Sequence, residues 1–506
     1  MCSSDLSYDL VATNVLGTVT SAPAALTVVL RDFSGTYRGT LGNAAGDIAL
    51  LVRRNGPATI LAHLTAAAAG ITAPALAVDV NGNFSGTAPL IAATARNVTV
   101  RGTVDEAAGT ITGTIPELNL TFTATRAEAA SPAPAQAGLY SAGVIGGATA
   151  ASLLVGPDGR AFALLVNGPA VDSASGSLGT GGRLALTTNV AKATLDVTLA
   201  TSGLRGTLRP AVGAAATVTG VPEALAGRQH LVNLSVRGVT APEAPMITGF
   251  AIGGTTAKQV LIRVAGPALA RAPFNLQGTL PDPSLQLFRV STVIGQNNDW
   301  GSPASGAAAL SAAATRAGAF PFANGSADAA LLTTLPPGVY SVQVGGDTGV
   351  ALAEVYEVTA SDETPGSRRL VNVSTLGAVA PGLPLIAGFV IEGRGPQRVL
   401  IRAAGPTLGA APFNVAGALA NPQLAIFQGS AQIKANDDWF RETEAAAIRE
   451  AAARSNAFAF GAQSLDSAVL LFLEPGAYTA VISASATLPA AQATGLALVE
   501  IYDASP

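Results

Sequence analysis

The chain has 506 residues, too many for one core, so several domains are expected. Only 12% of them are charged and the net charge is −4, with no cluster of Lys and Arg able to displace counterions from a phosphate backbone, which excludes nucleic acid as a partner. No stretch approaches the roughly 20 apolar residues of a membrane span, and the single cysteine, Cys2, leaves no intramolecular disulfide.

In chain order, residues 1–30 come first. SYDLVATN, from Ser7, and GTVTSAPAALTVV, from Gly17, read as two strands with a turn at Asn14–Gly17. Tyr8, with Leu10 two residues later, resembles the tyrosine corner of an immunoglobulin-like domain, in which these would be the last two strands. Two strands bury no core of their own, so the resemblance implies that the rest of that domain lies upstream. CSSDL, at Cys2–Leu6, is what the end of a common sequencing adaptor translates to. Residues 1–6 are therefore read as an assembly scar and residues 1–30 as a truncated module.

Residues 31–128 and 137–222 read as two related β modules, barrel-like or sandwich-like, in which short alternating strands end in Gly, Asn and Asp turns. Asn55-Gly56, between IALLVRR and ATILAHL, predicts a tight hairpin with Pro57 opening the return strand. The pattern recurs at a constant offset. Tyr140 answers Tyr37, and Asp158-Gly159 answers Asn55-Gly56. The proline-rich stretch Ala129–Gln136 separates the two as a stiff linker. Interior positions are mostly Ala, Leu, Val and Ile, which suits packed cores rather than a ligand cavity, and His63 reads as one more packed strand residue.

Residues 229–360 and 368–505 are two copies of one unit. QVLIRVAGPAL aligns with RVLIRAAGPTL, each copy carries APFN, and GVALAEVYE aligns with GLALVEIYD. A short insertion near Ser483–Gln492 lengthens the second copy. Eight short strands per copy, joined by Pro-Gly turns, predict an antiparallel, jelly-roll-like sandwich. One short helix interrupts each, most clearly at FRETEAAAIREAAARSNAF, where Glu442 and Glu444 precede Arg454 in the order that suits the helix dipole. The fold class is thus all-β, with tandem antiparallel β-sandwich or barrel-like modules. Whether the two copies pack together or swing on Ala360–Arg368 is left open at this point.

This order of modules resembles large secreted proteins of environmental bacteria, in which immunoglobulin-like domains precede such repeats and the chain ends after a VEVYD-like strand. The D-x-x-x-LPPGxY pattern also makes the last two modules distantly similar to the pre-peptidase C-terminal β-sandwiches of secreted hydrolases. Both resemblances imply export and an accessory role.

One constellation invites a binding role. QNNDW (Gln296–Trp300) and ANDDW (Ala435–Trp439) gather amide and carboxylate oxygens ahead of a tryptophan. Calcium takes six to eight oxygens, so Asn298 and Asp299, with Asp437 and Asp438, are candidate ligands beside Asn297 and Asn436. Asp328 or Asp466 and Glu354 or Glu500 would complete the shell. The competing reading makes Asn-Asp a turn, Asp a helix cap and tryptophan a plug. Arg263 and Arg402 are expected to pair with one of the acids inside the sandwich. Exposed Trp300 and Trp439 would instead offer sugars a stacking platform.

Catalysis is not expected. The only histidines, His63 and His230, lie in different modules, and no metalloprotease or phosphate-loop motif occurs. The expectation is a non-catalytic exported or cell-surface protein acting as a stalk, adhesion or interaction module, its signal peptide lost with the missing N-terminus. Its partner would be a protein or polysaccharide at the cell surface, and no cofactor is required apart from a candidate calcium. The alternatives are accessory C-terminal modules of a secreted hydrolase, whose catalytic domain would lie upstream, and a calcium- or glycan-binding module.

Overall fold

The structure, a computed structural model, describes residues 31–54, 56–92, 96–223, 230–254, 257–302, 304–358 and 369–504, together with the strands Asp5–Tyr8, Val11–Asn14, Gly17–Thr20 and Ala24–Thr27. It is all-β, with tandem barrel-like and sandwich modules.

At the N-terminus, Val11–Asn14 pairs antiparallel with Gly17–Thr20, Asn14 standing opposite Gly17, and Asp5–Tyr8 pairs with Ala24–Thr27; the residues expected to turn between Asn14 and Gly17 lie outside the described residues. The side chain of Tyr8 lies outside the described residues. Residues 31–128 form a closed barrel of eight strands in meander order, with Leu120–Arg126 returning to pair with Gly35–Leu41. Gly46–Val52 and Ala58–Leu64 make the predicted hairpin, but Val52 pairs with Ala58, so the connection spans 53–57 and is wider than a two-residue turn. Asn55 itself lies outside the described residues. His63 is fully buried in the second strand of that hairpin.

Residues 137–222 repeat the meander with eight strands, Gly138–Val144 pairing with Ala216–Pro222. Its strand order runs from Ala170–Ser177 at one end to Arg183–Thr187 at the other. A core of Leu153, Val155, Leu184, Leu195 and Val197 fills it.

One local device recurs in all four of these modules. Gly35-x-Tyr37, Gly138-x-Tyr140, Gly338-x-Tyr340 and Gly476-x-Tyr478 each place a tyrosine hydroxyl on the carbonyl four residues upstream. The acceptors are Phe33, Gln136, Pro336 and Glu474, at 2.9, 3.0, 2.7 and 2.8 Å. The four glycines have φ between 148° and 156°, open to glycine and costly for other residues. This is a tyrosine corner, tying the start of a strand to the loop before it. Tyr340→Phe is expected to cost about 1–2 kcal/mol, because the Pro336 carbonyl loses its partner. A urea titration of the variant checks it.

The two C-terminal copies each supply the eight strands expected, with the expected helix at Ala304–Arg316 or Ala445–Arg454, and the second copy adds a one-turn helix at Pro406–Gly409. They do not form two sandwiches side by side. In the first copy, His230–Thr240 pairs on one edge with its own last strand, Gly349–Glu357, and on the other with Leu385–Glu392 of the second copy. Ile247–Gly253 pairs likewise with its own Gly338–Gly345 and with Arg369–Val379 of the second copy. Each face of the sandwich is therefore a continuous eight-stranded sheet, half from each copy. The two first strands also bridge in parallel at Leu231–Leu370 and Val239–Ala378. A single core runs between the sheets and mixes Val236, Phe250 and Ile262 with Leu385, Phe389 and Ile401. The copies thus pack as one body.

The module at 137–222 docks on the second copy. Gly146 donates its N–H to the Phe472 carbonyl at 3.0 Å, and Phe472 donates to the Gly147 carbonyl at 2.8 Å. These two bonds extend the sheet from its edge strand, Ser467–Leu473. Gly143 has no room for a side chain there, because a β-carbon would lie 2.3 Å from the Phe472 ring. Ala148 joins the cluster of Leu400, Trp439 and Ile448 at the helix Ala445–Arg454.

Candidate functional site

The same buried constellation is built in each copy. Arg263, on strand Lys258–Ala265, stands opposite Glu354 in the ladder, and Arg402 stands opposite Glu500. Both arginines are almost wholly buried, at 2% and 1% exposure. Arg402 Nη2 lies 2.8 Å from a Glu500 oxygen, whereas in the first copy Arg263 Nε is 3.3 Å from Glu354. The second face of each carboxylate accepts a tyrosine hydroxyl, from Tyr356 or Tyr502, at 2.6 Å. Each guanidinium also donates to a backbone carbonyl, Phe320 at 2.7 Å or Phe458 at 2.6 Å. Two phenyl rings flank it, with Phe322 at 3.9 Å from Arg263 and Phe460 at 4.0 Å from Arg402. A cation among ring faces gains quadrupole attraction in place of lost water. The pairing of Arg263 and Arg402 with an acid inside the sandwich is as the sequence suggested.

Burial sets the proton affinities. Removal from water pushes the Glu354 and Glu500 carboxyls above the usual glutamate range, against the pull of Arg263 and Arg402. Tyr356 and Tyr502 are raised by burial and by the adjacent carboxylate. A raised folded-state value means that the stabilising contribution is complete below the ordinary 4.5 and is lost as pH rises through the folded value. Sandwich stability is therefore expected to fall as pH is raised from 4.5, with a smaller slope in Glu354→Gln. Urea midpoints across that range, wild type against variant, check the sign.

A second carboxylate in each copy organises the loop after the arginine strand. Asp328 accepts the backbone N–H groups of Gly266 and Ala268 at 2.8 and 3.1 Å, and the Ser326 hydroxyl at 2.8 Å. Asp466 accepts from Gly405 and Thr407 at 2.7 and 3.3 Å, and from the Thr407 hydroxyl. A third polar pair, Lys258 with Glu357, is answered in the second copy by Gln397 with Asp503. Both pairs sit at the far end of the same strands.

The candidate calcium ligands are divided among separate tasks. Asn298 and Asp299 are exposed at the end of a strand. Asp437 accepts from Ser485, a residue of the insertion peculiar to the second copy, at 3.1 Å. Asp438 is paired with Arg441 at 2.7 Å. Asn297 and Asn436 turn their amide oxygens to the N–H groups of Ala330 and Ala468, each at 2.9 Å. Asp328 and Glu354, proposed to complete the shell, serve the backbone and Arg263 instead. Among the described residues, no three His, Cys, Asp or Glu side chains are grouped together.

The tryptophans are not exposed. Trp300 and Trp439 are 6% and 3% accessible, packed edge-on to Phe322 and Phe460. Their indole N–H groups bond the Ala323 carbonyl and the Ser464 hydroxyl, each at 3.2 Å. The plug was right and the open sugar platform was wrong, because the helix and its following loop fold over both rings. The sequence reading missed the phenyl pair around each arginine, although the spacing FPF (Phe320–Phe322) and FAF (Phe458–Phe460) signalled it.

No protein-family model and no curated protein matches the chain. Among solved structures, one described as PNGF-II is similar at 7% identity and a TM-score of 0.14, covering 93% of this chain and 99% of that one. A GH31 alpha-xylosidase from Xanthomonas citri is similar at 10% identity and a TM-score of 0.12, covering 94% of this chain but 38% of that one. At such scores neither likeness bears on fold or function.

Proposed function

We propose that this chain is a non-catalytic part of an exported or cell-surface protein, its modules serving as a stalk and interaction surface. One observation carries the reading. The buried acids of the duplicated sandwich each face an internal partner, Arg263, Arg402, Lys258, Gln397 or backbone N–H groups, so they serve as struts. Catalytic carboxylates are instead poised toward a substrate in a cleft. The docking of residues 137–222 on the second copy by backbone bonds suits a rigid spacer, and such a surface gains affinity through multiplicity. No helix among the described residues is long and apolar enough to cross a membrane. The partner on this reading is a protein or polysaccharide at the cell surface.

Two measurements test it. Antibody against the chain is expected to label intact cells, and the purified chain is expected to turn over no glycoside, ester or peptide substrate. Label confined to the cytoplasm, or turnover abolished by Glu354→Gln, would overturn the proposal.

A further inference from the structure

The two copies differ where one helix position meets the buried tryptophan. Counting back from Phe320 and Phe458, Ser311 and Arg449 occupy the same helical site. In the second copy the Arg449 guanidinium lies over the Trp439 ring, 5.6 Å from its centre. Around it Ala447 and Ile448 are fully covered, with Ala148 of the docked module in the same cluster. In the first copy Ser311 is too short to reach the ring. The equivalent Ala309 is exposed and Leu310 only half-buried. What remains is a cavity of about 380 Å³, within the range of small-molecule sites. Its walls include Leu261, Trp300, Leu310, Ala314 and Phe322, with the Arg263 side chain in one wall.

We propose that this cavity is a binding site for a small, flat, uncharged ring compound, held where the second copy closes the space with Arg449. The walls supply the chemistry. Their aromatic and aliphatic faces favour an apolar ring. Arg263 disfavours a cation. An anion would have to compete with Glu354, which lies 3.3 Å from Arg263 Nε. A flat shape follows from the second copy, where the group over the tryptophan is a planar guanidinium. Arg449 reaches in from an exposed position. The first copy lacks both the arginine and a residue matching Phe472, having exposed Thr334 there. The duplication thus has one closed copy and one open copy.

The uncharged dye N-phenyl-1-naphthylamine, whose emission rises in apolar surroundings, tests the proposal on the full chain. Saturable binding of one dye per chain is expected. Ser311→Arg should weaken it about tenfold or more, since filling the space removes apolar contact area. Ser311→Ala should bind as the wild type does. Position 311 is exposed, so both variants are expected to keep the wild-type melting temperature. Absence of saturable binding, undiminished binding in Ser311→Arg, or equal loss in both variants would overturn the proposal.

Discussion

Arg402→Ala is expected to cost the duplicated sandwich about 3–5 kcal/mol, the largest effect of any single substitution considered. The reason is asymmetry. Alanine removes the ion pair with Glu500 and the bond to the Phe458 carbonyl, yet leaves the carboxylate buried at 4% exposure. It also vacates the space between Phe458 and Phe460. Replacing both charges, as Arg402→Met with Glu500→Leu, should cost much less, because no orphaned charge remains and the volume is kept. A double-mutant cycle in urea separates the two cases. If the single variant lost no more than the double, the pair would not be acting as a buried strut.

The second large effect concerns separation of the copies. Residues 230–358 produced alone are expected not to exist as a folded monomer. Without the second copy, His230–Thr240 loses its ladder to Leu385–Glu392, and Ile247–Gly253 loses its ladder to Arg369–Val379. Two strand edges then present unpaired N–H and C=O groups, which is a template for association. The core residues Val236 and Phe250 would face water as well. Because the copies are so alike, the isolated one can pair with itself, giving a dimer or larger species in gel filtration. A stable folded monomer would show that the exchanged ladders are dispensable.

Much of this architecture was legible in the residues. The duplication, the eight strands per copy and the helix before Phe458 could be read from LIR, APFN and the alanine-rich run. The buried Arg–acid pairs followed from arginine inside an otherwise apolar strand. The exchange of strands could not be read. A strand edge offers only backbone groups to its neighbour, and VNLS and VNVS are nearly the same, so the sequence does not distinguish own from opposite copy. Where the candidate calcium ligands point could not be read for a related reason. Asn297 and Asn436 show the same oxygens whether they face a metal or the amides of Ala330 and Ala468, and only the fold decides. The closed Arg449 and open Ser311 were both in plain view, but their difference means something only once the helix lies over the tryptophan.

Native-state hydrogen exchange on the full chain carrying Arg263→Ala tests most directly whether the two copies are one cooperative body. The shared sheets and the single core predict that amides of Gln397–Ala404 in the second copy lose as much protection as those of Lys258–Ala265 in the first. Loss of protection confined to the first copy would contradict the account.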